Sequence, residues 1–375
     1  MGIALSLLGP SVSYLEDQLG VSAGVVGILF AVIAASNFFG ALVGGRWVTR
    51  WGGHVVLRIG VMTFSVGVVF IALASTYVVA AMGAVLIGSA TGMTDASMNI
   101  MVVWARAGKS GPALNAMHLL FGVGAFLAPL IVDRAIAFTD HLWPASIVIG
   151  LFAFLSMAVL GRRESPFEPE HAPDFHRPEL PTKVVVHVAI FFLLYVGGEF
   201  GFAGWIHTYA EDQGMSGSNP ALVTAIFWAS FALARLVAIP LSKILKPLTI
   251  VGGACALSLL GLIIMIVGDV NALSIWIGAA LFGFASGPQY PTMIALVDEK
   301  LSLSAQATAW IVGAAAIGGL IVPVSIGALI DTVGSASMPI VVLGVCCLGL
   351  AWVFVVQRSI SRASALHHTG VLRQA

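Results

Sequence analysis

Long apolar runs alternate with short polar connections along the whole chain. Six runs fall near residues 1–16, 21–46, 54–75, 77–104, 112–134 and 142–161, and six more near 184–210, 219–243, 248–268, 272–297, 303–330 and 336–357. A helix needs about 20 predominantly apolar residues to cross the hydrocarbon core of a bilayer. The pattern therefore predicts an all-α integral membrane protein with twelve transmembrane helices.

The first run is shorter than the others. Residues 1–15 supply only about three-quarters of the length that a span needs. We expect either a truncated first helix or a natural start further upstream. No basic segment precedes this run, so the pattern is not that of a cleavable signal peptide.

One connection differs from the rest in length and composition. Residues 162–183 are rich in charge and contain five prolines, which is typical of an exposed linker. The linker predicts an N-terminal six-helix bundle at residues 1–161 and a C-terminal six-helix bundle at residues 184–358, with a tail at residues 359–375.

The two halves of the chain repeat each other. Three pairs of segments match at an offset near 195 residues: Gly88-Ser-Ala-Thr-Gly92 with Gly283-Phe-Ala-Ser-Gly287, Gly124-Ala-Phe-Leu-Ala-Pro129 with Gly318-Gly-Leu-Ile-Val-Pro323, and Phe30 and Arg46 with Phe227 and Lys243. Two six-helix halves with the same orientation predict a repeat about an axis along the membrane normal.

The composition supports the assignment as a membrane protein and argues against other classes of protein. Of the 375 residues, 59% are hydrophobic and 9% are charged, whereas about a quarter of a soluble domain is charged. The net charge of zero gives no reason to expect a nucleic-acid partner. The three cysteines lie in apolar runs without metal-ligand spacing, so we expect buried thiols and no metal site.

Lysine and arginine predict the orientation of the spans. If the linker is cytoplasmic, fifteen of the seventeen basic residues lie on that side: Arg46, Arg50, Arg58, Arg106, Lys109, Arg162, Arg163, Arg177, Lys183, Lys243, Lys246, Lys300, Arg358, Arg362 and Arg373. Arg134 alone falls on the other side, and Arg235 lies within a span. The sequence predicts a multi-pass protein of the cell (inner) membrane with both termini cytoplasmic.

Three charged residues lie inside predicted spans: Asp95, Glu199 and Arg235. A charge at the bilayer centre costs about 2.5–3.5 kcal/mol on insertion scales, so the two acids are candidates for ion coupling. Asp95 and Asn99 share one face of span 4. A carboxylate there could bind Na+ or carry a proton. The alternative is a structural ion pair, and for Arg235 a structural role is an equal alternative.

Span 7 reads Tyr195-Val-Gly-Gly-Glu-Phe-Gly-Phe-Ala-Gly-Trp205. Its four glycines within eight residues weaken a helix, so we expect a break near Glu199 with backbone carbonyls freed for a cation. Trp205 is a candidate platform for a sugar ring. The alternative is a position in the aromatic belt at the membrane interface.

Further polar residues complete the set of candidates. In span 10, Pro288 and Pro291 flank Gln289 and Tyr290, which we expect to face a central cavity together with Asn37 and Asn99 as substrate contacts. The gating or structural candidates are Asn115 and His118 in span 5, Arg235, and Arg46 and Arg50 at the loop between spans 2 and 3.

Several segments resemble one family. The segments LGPSVSYL, FAVIAASNFFGALVGGRWVTR, HLLFGVGAFLAP, YVGGEFGFAGW and GFASGPQYPT are similar to the sodium-dependent glucose transporter branch of the major facilitator superfamily, near the fucose–proton symporters. The resemblance implies the two-bundle fold of that superfamily. The loop at residues 45–54 resembles its signature loop, but it has Thr49 in place of an aspartate and Gly53-His54 in place of two basic residues.

The expected function is secondary active transport of a small polar solute, predicted to be a monosaccharide, by Na+ or H+ symport through alternating access. Ser6 stands where fucose symporters have an acid. This difference weakens the hypothesis of H+ coupling, unless Glu199 takes the role of that acid. The alternative is a proton-coupled exporter of drugs or metabolites. No enzyme motif is present in the sequence. We expect a monomer in the lipid bilayer, without a cofactor beyond a weakly bound coupling ion.

Overall fold

The computed structural model describes residues 2–105, 111–160, 165–166, 181–217, 219–268, 272–298 and 305–371. All regular structure within these ranges is helical. In the first half, the helices are α1 (Gly2–Ser6), a 3-10 turn (Gly9–Ser11), α2 (Val12–Leu19), α3 (Ala23–Trp51), α4 (Gly53–Ala72), α5 (Tyr77–Ala105), α6 (Gly111–Thr139) and α7 (Trp143–Leu160).

The second half has a matching series of helices. They are α8 (Thr182–Asp212), α9 (Asn219–Ile244), α10 (Pro247–Val267), α11 (Ala272–Ser286), α12 (Gln289–Asp298), α13 (Ala305–Val333) and α14 (Ser337–Val371). Within the described residues, nine helices are long and apolar enough to cross a membrane, and α7 is a shorter apolar helix. The first predicted span is divided among α1, the 3-10 turn and α2, and the tenth between α11 and α12.

The sequence predicts a break in span 7, and the structure shows that this prediction is wrong. Helix α8 is continuous from Thr182 to Asp212. Its glycines allow close helix packing: a Cβ added at Gly197 would lie 3.1 Å from the carbonyl oxygen of Gly318 in α13, and one at Gly204 would lie 3.1 Å from the ring of Phe30 in α3. Because tertiary packing overrides the weak helix propensity of glycine, no carbonyls are freed beside Glu199.

The break in the second half lies instead in span 10. Helix α11 ends at Ser286 and α12 begins at Gln289, with Gly287 and Pro288 between them. Proline has no backbone N–H, so one hydrogen bond of the helical ladder is missing at this position. The carbonyl oxygens around this break are available to side chains, and two of them accept hydrogen bonds in the candidate site.

The repeat seen in the sequence is also a repeat of packing. In each half, two glycines of the fourth span lie directly against the backbone of the second span, which lets the two helices approach closely. The contacts are Gly88 with Ile33 and Gly92 with Asn37 in the first half, and Gly283 with Phe227 and Gly287 with Phe231 in the second half.

Two glycine turns mark the two ends of the molecule. Gly20 joins α2 to α3 with φ of 63°, and Gly52 joins α3 to α4 with φ of 85°. We call these the Gly20 end and the Gly52 end. The two bundles meet along two seams, one between α3 and α13 and the other between α6 and α9. On the second seam Gly122 lies against Ala232.

Candidate functional site

The pair predicted in span 4 forms within α5. The amide Nδ2 of Asn99 donates hydrogen bonds to Oδ1 and to the backbone oxygen of Asp95, both at 2.9 Å. The two side chains are half-buried. Asn99 therefore supplies one hydrogen bond to the carboxylate of Asp95.

Glu199 lies in the interior of the second bundle, and its neighbours come from three helices. The residue is 8% exposed. The hydroxyl of Tyr195, one turn earlier on α8, lies against its carboxylate, and the positive charge of Arg235 on α9 acts on it. Tyr195 also donates a hydrogen bond to the backbone oxygen of Ser286, 3.0 Å away at the α11–α12 break.

Arg235 is held at the same break. Its Nε donates to the backbone oxygen of Gly287 at 3.3 Å, and its guanidinium carbon lies 4.4 Å from the centre of the Phe231 ring. This geometry is that of a cation–π contact. Arg235 is half-buried, and its positive charge acts on Glu199.

Tyr290 connects the two halves of the site. It lies on α12, close enough for the charges of Asp95, Arg235 and Glu199 to act on its hydroxyl. Tyr290 is thus within electrostatic reach of one acid from each bundle and of Arg235, and Tyr195 lies on the Glu199 side of it. Two carboxylates and one guanidinium leave a net negative charge, which a single cation or proton can neutralise.

The second candidate in span 10, Gln289, makes its hydrogen bonds within the second bundle. Its Nε2 donates to Ser258 Oγ and to the backbone oxygen of Ala285, both at 3.1 Å, and its Oε1 accepts from Cys255 Sγ at 3.5 Å. A cavity of about 20 Å³ beside it has room for about one water molecule. Gln289 could contact a substrate only by exchanging these partners.

Asn37 and Trp205 both lie at helix contacts. Asn37 Nδ2 donates to Thr91 Oγ1 at 3.0 Å, between α3 and α5. Trp205 is fully buried on the first seam, between Gly27 and Gly327, and its Nε1 donates to the backbone oxygen of Pro323 at 2.8 Å. Complete burial excludes the alternative position of Trp205 in a lipid-facing aromatic belt.

Sequence reasoning missed a group of contacts between the bundles at the Gly20 end. Ser13 Oγ donates to Glu211 Oε2 at 2.5 Å, Ser22 Oγ to Asp331 Oδ2 at 2.6 Å, and the backbone N–H of Gly24 to Asp331 Oδ1 at 3.0 Å. His207 Nδ1 lies 3.4 Å from Glu211 Oε2. The signal was present as acids in the last turns of spans 7 and 11. The bundles are closed together at this end.

The remaining gating candidates lie toward the Gly52 end. Arg46 and Arg50 are exposed at the end of α3, where Thr49 Oγ1 donates to the backbone oxygen of Arg46 at 2.8 Å. The side chains of Asn115 and His118 lie outside the described residues. Within the part of the chain that is described, no group of three or more His, Cys, Asp or Glu residues could hold a metal ion.

Paired helical bundles around a charged central site define a multi-pass membrane transporter. A family model, Major Facilitator Superfamily, matches residues 1–323 of the 375, and the chain belongs to this family.

Similar proteins give more detail. Sodium-dependent glucose transporter 1 of Homo sapiens is 23% identical over 369 residues, covering 88% of this chain and 71% of that protein. Sodium-dependent glucose transporter 1A of Mus musculus is 24% identical over 370 residues, covering 88% of this chain and 87% of that protein. The crystal structure of a D-xylose-proton symporter matches with a TM-score of 0.75 over 94% of this chain and 93% of that chain; at 16% identity it shows the fold alone.

Proposed function

We propose that this protein is a secondary active transporter that moves a monosaccharide together with a cation. The observation that carries the proposal is the placement of Tyr290 within electrostatic reach of Asp95 from one bundle and of Glu199 and Arg235 from the other. Relatives named sodium-dependent glucose transporters support the sugar and the cation. The fold of a sugar–proton symporter supports the same class.

The charges of the site explain why transport of the solute would be coupled to an ion. The charges of Asp95 and Glu199 both act on the hydroxyl of Tyr290, and burying such charges without a neutralising partner is costly. A cation bound at these acids removes this cost and permits the bundles to rearrange around the loaded site. Asn37, Asn99, Gln289 and Tyr290 are uncharged polar groups suited to sugar hydroxyls, although Asn37, Asn99 and Gln289 make internal hydrogen bonds in this conformation.

For the ion we propose Na+, with H+ as the alternative. The shell of backbone carbonyls expected at Glu199 is not formed because α8 is continuous, so Na+ would depend on side-chain oxygens of the two acids and their neighbours. The position of Ser6 argues against H+ coupling of the kind expected for the fucose symporters. Ser6 is buried, and its Oγ donates to the backbone oxygen of Ala125 at 2.9 Å, where it joins α1 to α6.

We further propose that the Gly52 end is cytoplasmic, together with both termini and the 162–183 linker. The asymmetry of lysine and arginine supports this orientation. A cysteine introduced at Ser165 should be protected from an impermeant thiol reagent outside intact cells. Labelling from outside would reverse the orientation.

Uptake into proteoliposomes tests the proposal. We expect accumulation of a labelled monosaccharide (glucose, xylose or fucose) under an inward Na+ gradient at equal pH, and its persistence with a proton uncoupler. Accumulation driven only by an inward H+ gradient would assign the alternative ion. If no sugar is transported under either gradient while a lipophilic cation is exported, the exporter hypothesis replaces symport.

Substitutions test the two acids directly. Asp95→Asn and Glu199→Gln keep shape but not charge, so we expect each to abolish ion-driven accumulation while folding and insertion persist. Asp140→Asn is the matched control, because Asp140 is an exposed loop residue with φ of 57°, which asparagine also adopts. Wild-type accumulation in both site variants would show that the two acids are structural.

A further inference from the structure

An apolar groove runs along the outside of the first bundle, between α6 and α7 near the Gly20 end. Its volume is about 440 Å³, within the range of about 300–1,000 Å³ typical of ligand sites. Leu127, Ile131, Phe138 and Val148 are among its lining residues. Phe138 and Val148 are 80% and 52% exposed, so the groove opens toward the lipid and away from the seams between the bundles.

One positively charged side chain lies among these apolar lining residues. Arg134 lines the groove, and it is the one basic residue that the charge pattern places on the side opposite the other fifteen. Its Nε lies 3.9 Å from Asp133 Oδ2, longer than a hydrogen bond. The Arg134 side chain is 62% exposed and that of Asp133 is 12% exposed, so an anion approaching from the lipid meets the guanidinium first.

The aromatic residues around the groove indicate its depth in the membrane. Phe138, one helical turn beyond Arg134, and Trp143, the first residue of α7, are both exposed. Exposed aromatic side chains at helix ends are typical of the headgroup level, and a long arginine side chain reaches that level from inside the bilayer. The N-terminus of α7 adds a positive partial charge at the same end.

We propose that this groove binds an anionic phospholipid, with the headgroup phosphate on Arg134 and an acyl chain against Leu127, Ile131 and Val148. An arginine presents planar donors that match phosphate oxygens. The apolar walls match a hydrocarbon chain and offer few hydrogen-bonding groups to a sugar. The site is separate from the charged region between the bundles and does not depend on the proposed transport function.

Native mass spectrometry of the detergent-purified protein tests the headgroup contact. The protein is titrated with phosphatidylglycerol or with phosphatidylcholine of the same acyl chains. We expect wild type to retain phosphatidylglycerol more tightly, and Arg134→Gln to lose about fivefold in that affinity, the factor for about 1 kcal/mol per basic residue near an anionic surface. Arg358→Gln is the matched control, because Arg358 is an exposed arginine at the opposite end.

A second pair of variants tests where the acyl chain of the lipid lies. Val148→Trp fills the groove and leaves Arg134 in place, whereas Ile147→Trp adds the same bulk at the adjacent, similarly exposed position that does not line the groove. We expect only Val148→Trp to reduce phosphatidylglycerol binding. Equal retention of both lipids by wild type, unchanged binding in Arg134→Gln, or equal effects of the two tryptophans would overturn the proposal.

Discussion

At the residue scale, each acid inside the bundles depends on a neutral side chain one helical turn away. The amide of Asn99 donates a hydrogen bond to Asp95, and the hydroxyl of Tyr195 donates one to Glu199. The phenol has a single proton to donate. It can be directed to a charged Glu199 or to the backbone oxygen of Ser286, so occupancy of the proposed ion site would be connected to the break between α11 and α12.

Replacing Tyr195 by phenylalanine tests this connection. Tyr195→Phe keeps the ring but leaves Ser286 without its donor, a loss of about 1–3 kcal/mol for a buried acceptor. We expect about a tenfold higher cation concentration for half-maximal sugar uptake. Tyr77→Phe removes an equivalent bond, from a tyrosine hydroxyl to the backbone oxygen of Val25, away from the site. Equal effects in the two variants would mean that Tyr195 acts only on stability.

At the scale of elements, glycines have different effects according to what each one contacts. Four glycines in α8 do not break the helix, because α13, α14 and α3 pack against the surface that they leave. The helix of span 10 is interrupted at Gly287 and Pro288, where proline lacks a backbone donor, whereas Pro129, Pro240 and Pro323 lie inside continuous helices. Composition alone did not distinguish these two outcomes.

Two adjacent glycines of α8 provide a matched test. A Cβ at Gly197 would lie 2.7 Å from Cγ2 of Val322, whereas one at Gly198 would lie 3.6 Å from Val345, an ordinary contact. Both alanines raise helix propensity by about 1 kcal/mol. We expect Gly197→Ala to lower the melting temperature in detergent through overpacking, and Gly198→Ala to maintain or raise it. A fall of equal size in both would contradict the packing account.

At the scale of the whole molecule, side-chain hydrogen bonds join the two bundles at the Gly20 end. Hydrogen bonds to Glu211 and Asp331 cross the seam near Gly20, and Trp205 fills the space between Gly27 and Gly327 just inside them. Alternating access requires this end to separate. The carboxylate contacts are therefore part of the free-energy difference between the closed and open arrangements of the Gly20 end.

Removing one of these carboxylates should favour opening. In a background without native cysteines, the rate of thiol labelling at Thr208→Cys, a buried position near the closed end, reports separation of the bundles. We expect Asp331→Ala to raise that rate about tenfold, since hydrogen bonds to a charged group contribute about 1.5–3 kcal/mol. Asp212→Ala removes an exposed carboxylate at the same end as control. Equal rates in the two variants would show that Asp331 does not hold this end closed.

The sequence by itself determined the spans, the repeat and the residues that carry charge inside the membrane. Apolar run length follows from bilayer thickness, and an acid in such a run is costly wherever the helix packs, so both signals are local. The Asp95–Asn99 pair was predictable for the same reason, because its partners lie one turn apart on one helix.

Only the tertiary structure decided which polar groups meet. It brought Asp95 to Tyr290, directed Gln289 into its own bundle, buried Trp205 in a seam and placed Asp331 against Ser22. These outcomes depend on how helices distant in sequence rotate and approach. Side-chain volumes on neighbouring helices, such as the ring of Phe30 against Gly204, fix those rotations, and a single helix does not contain that information.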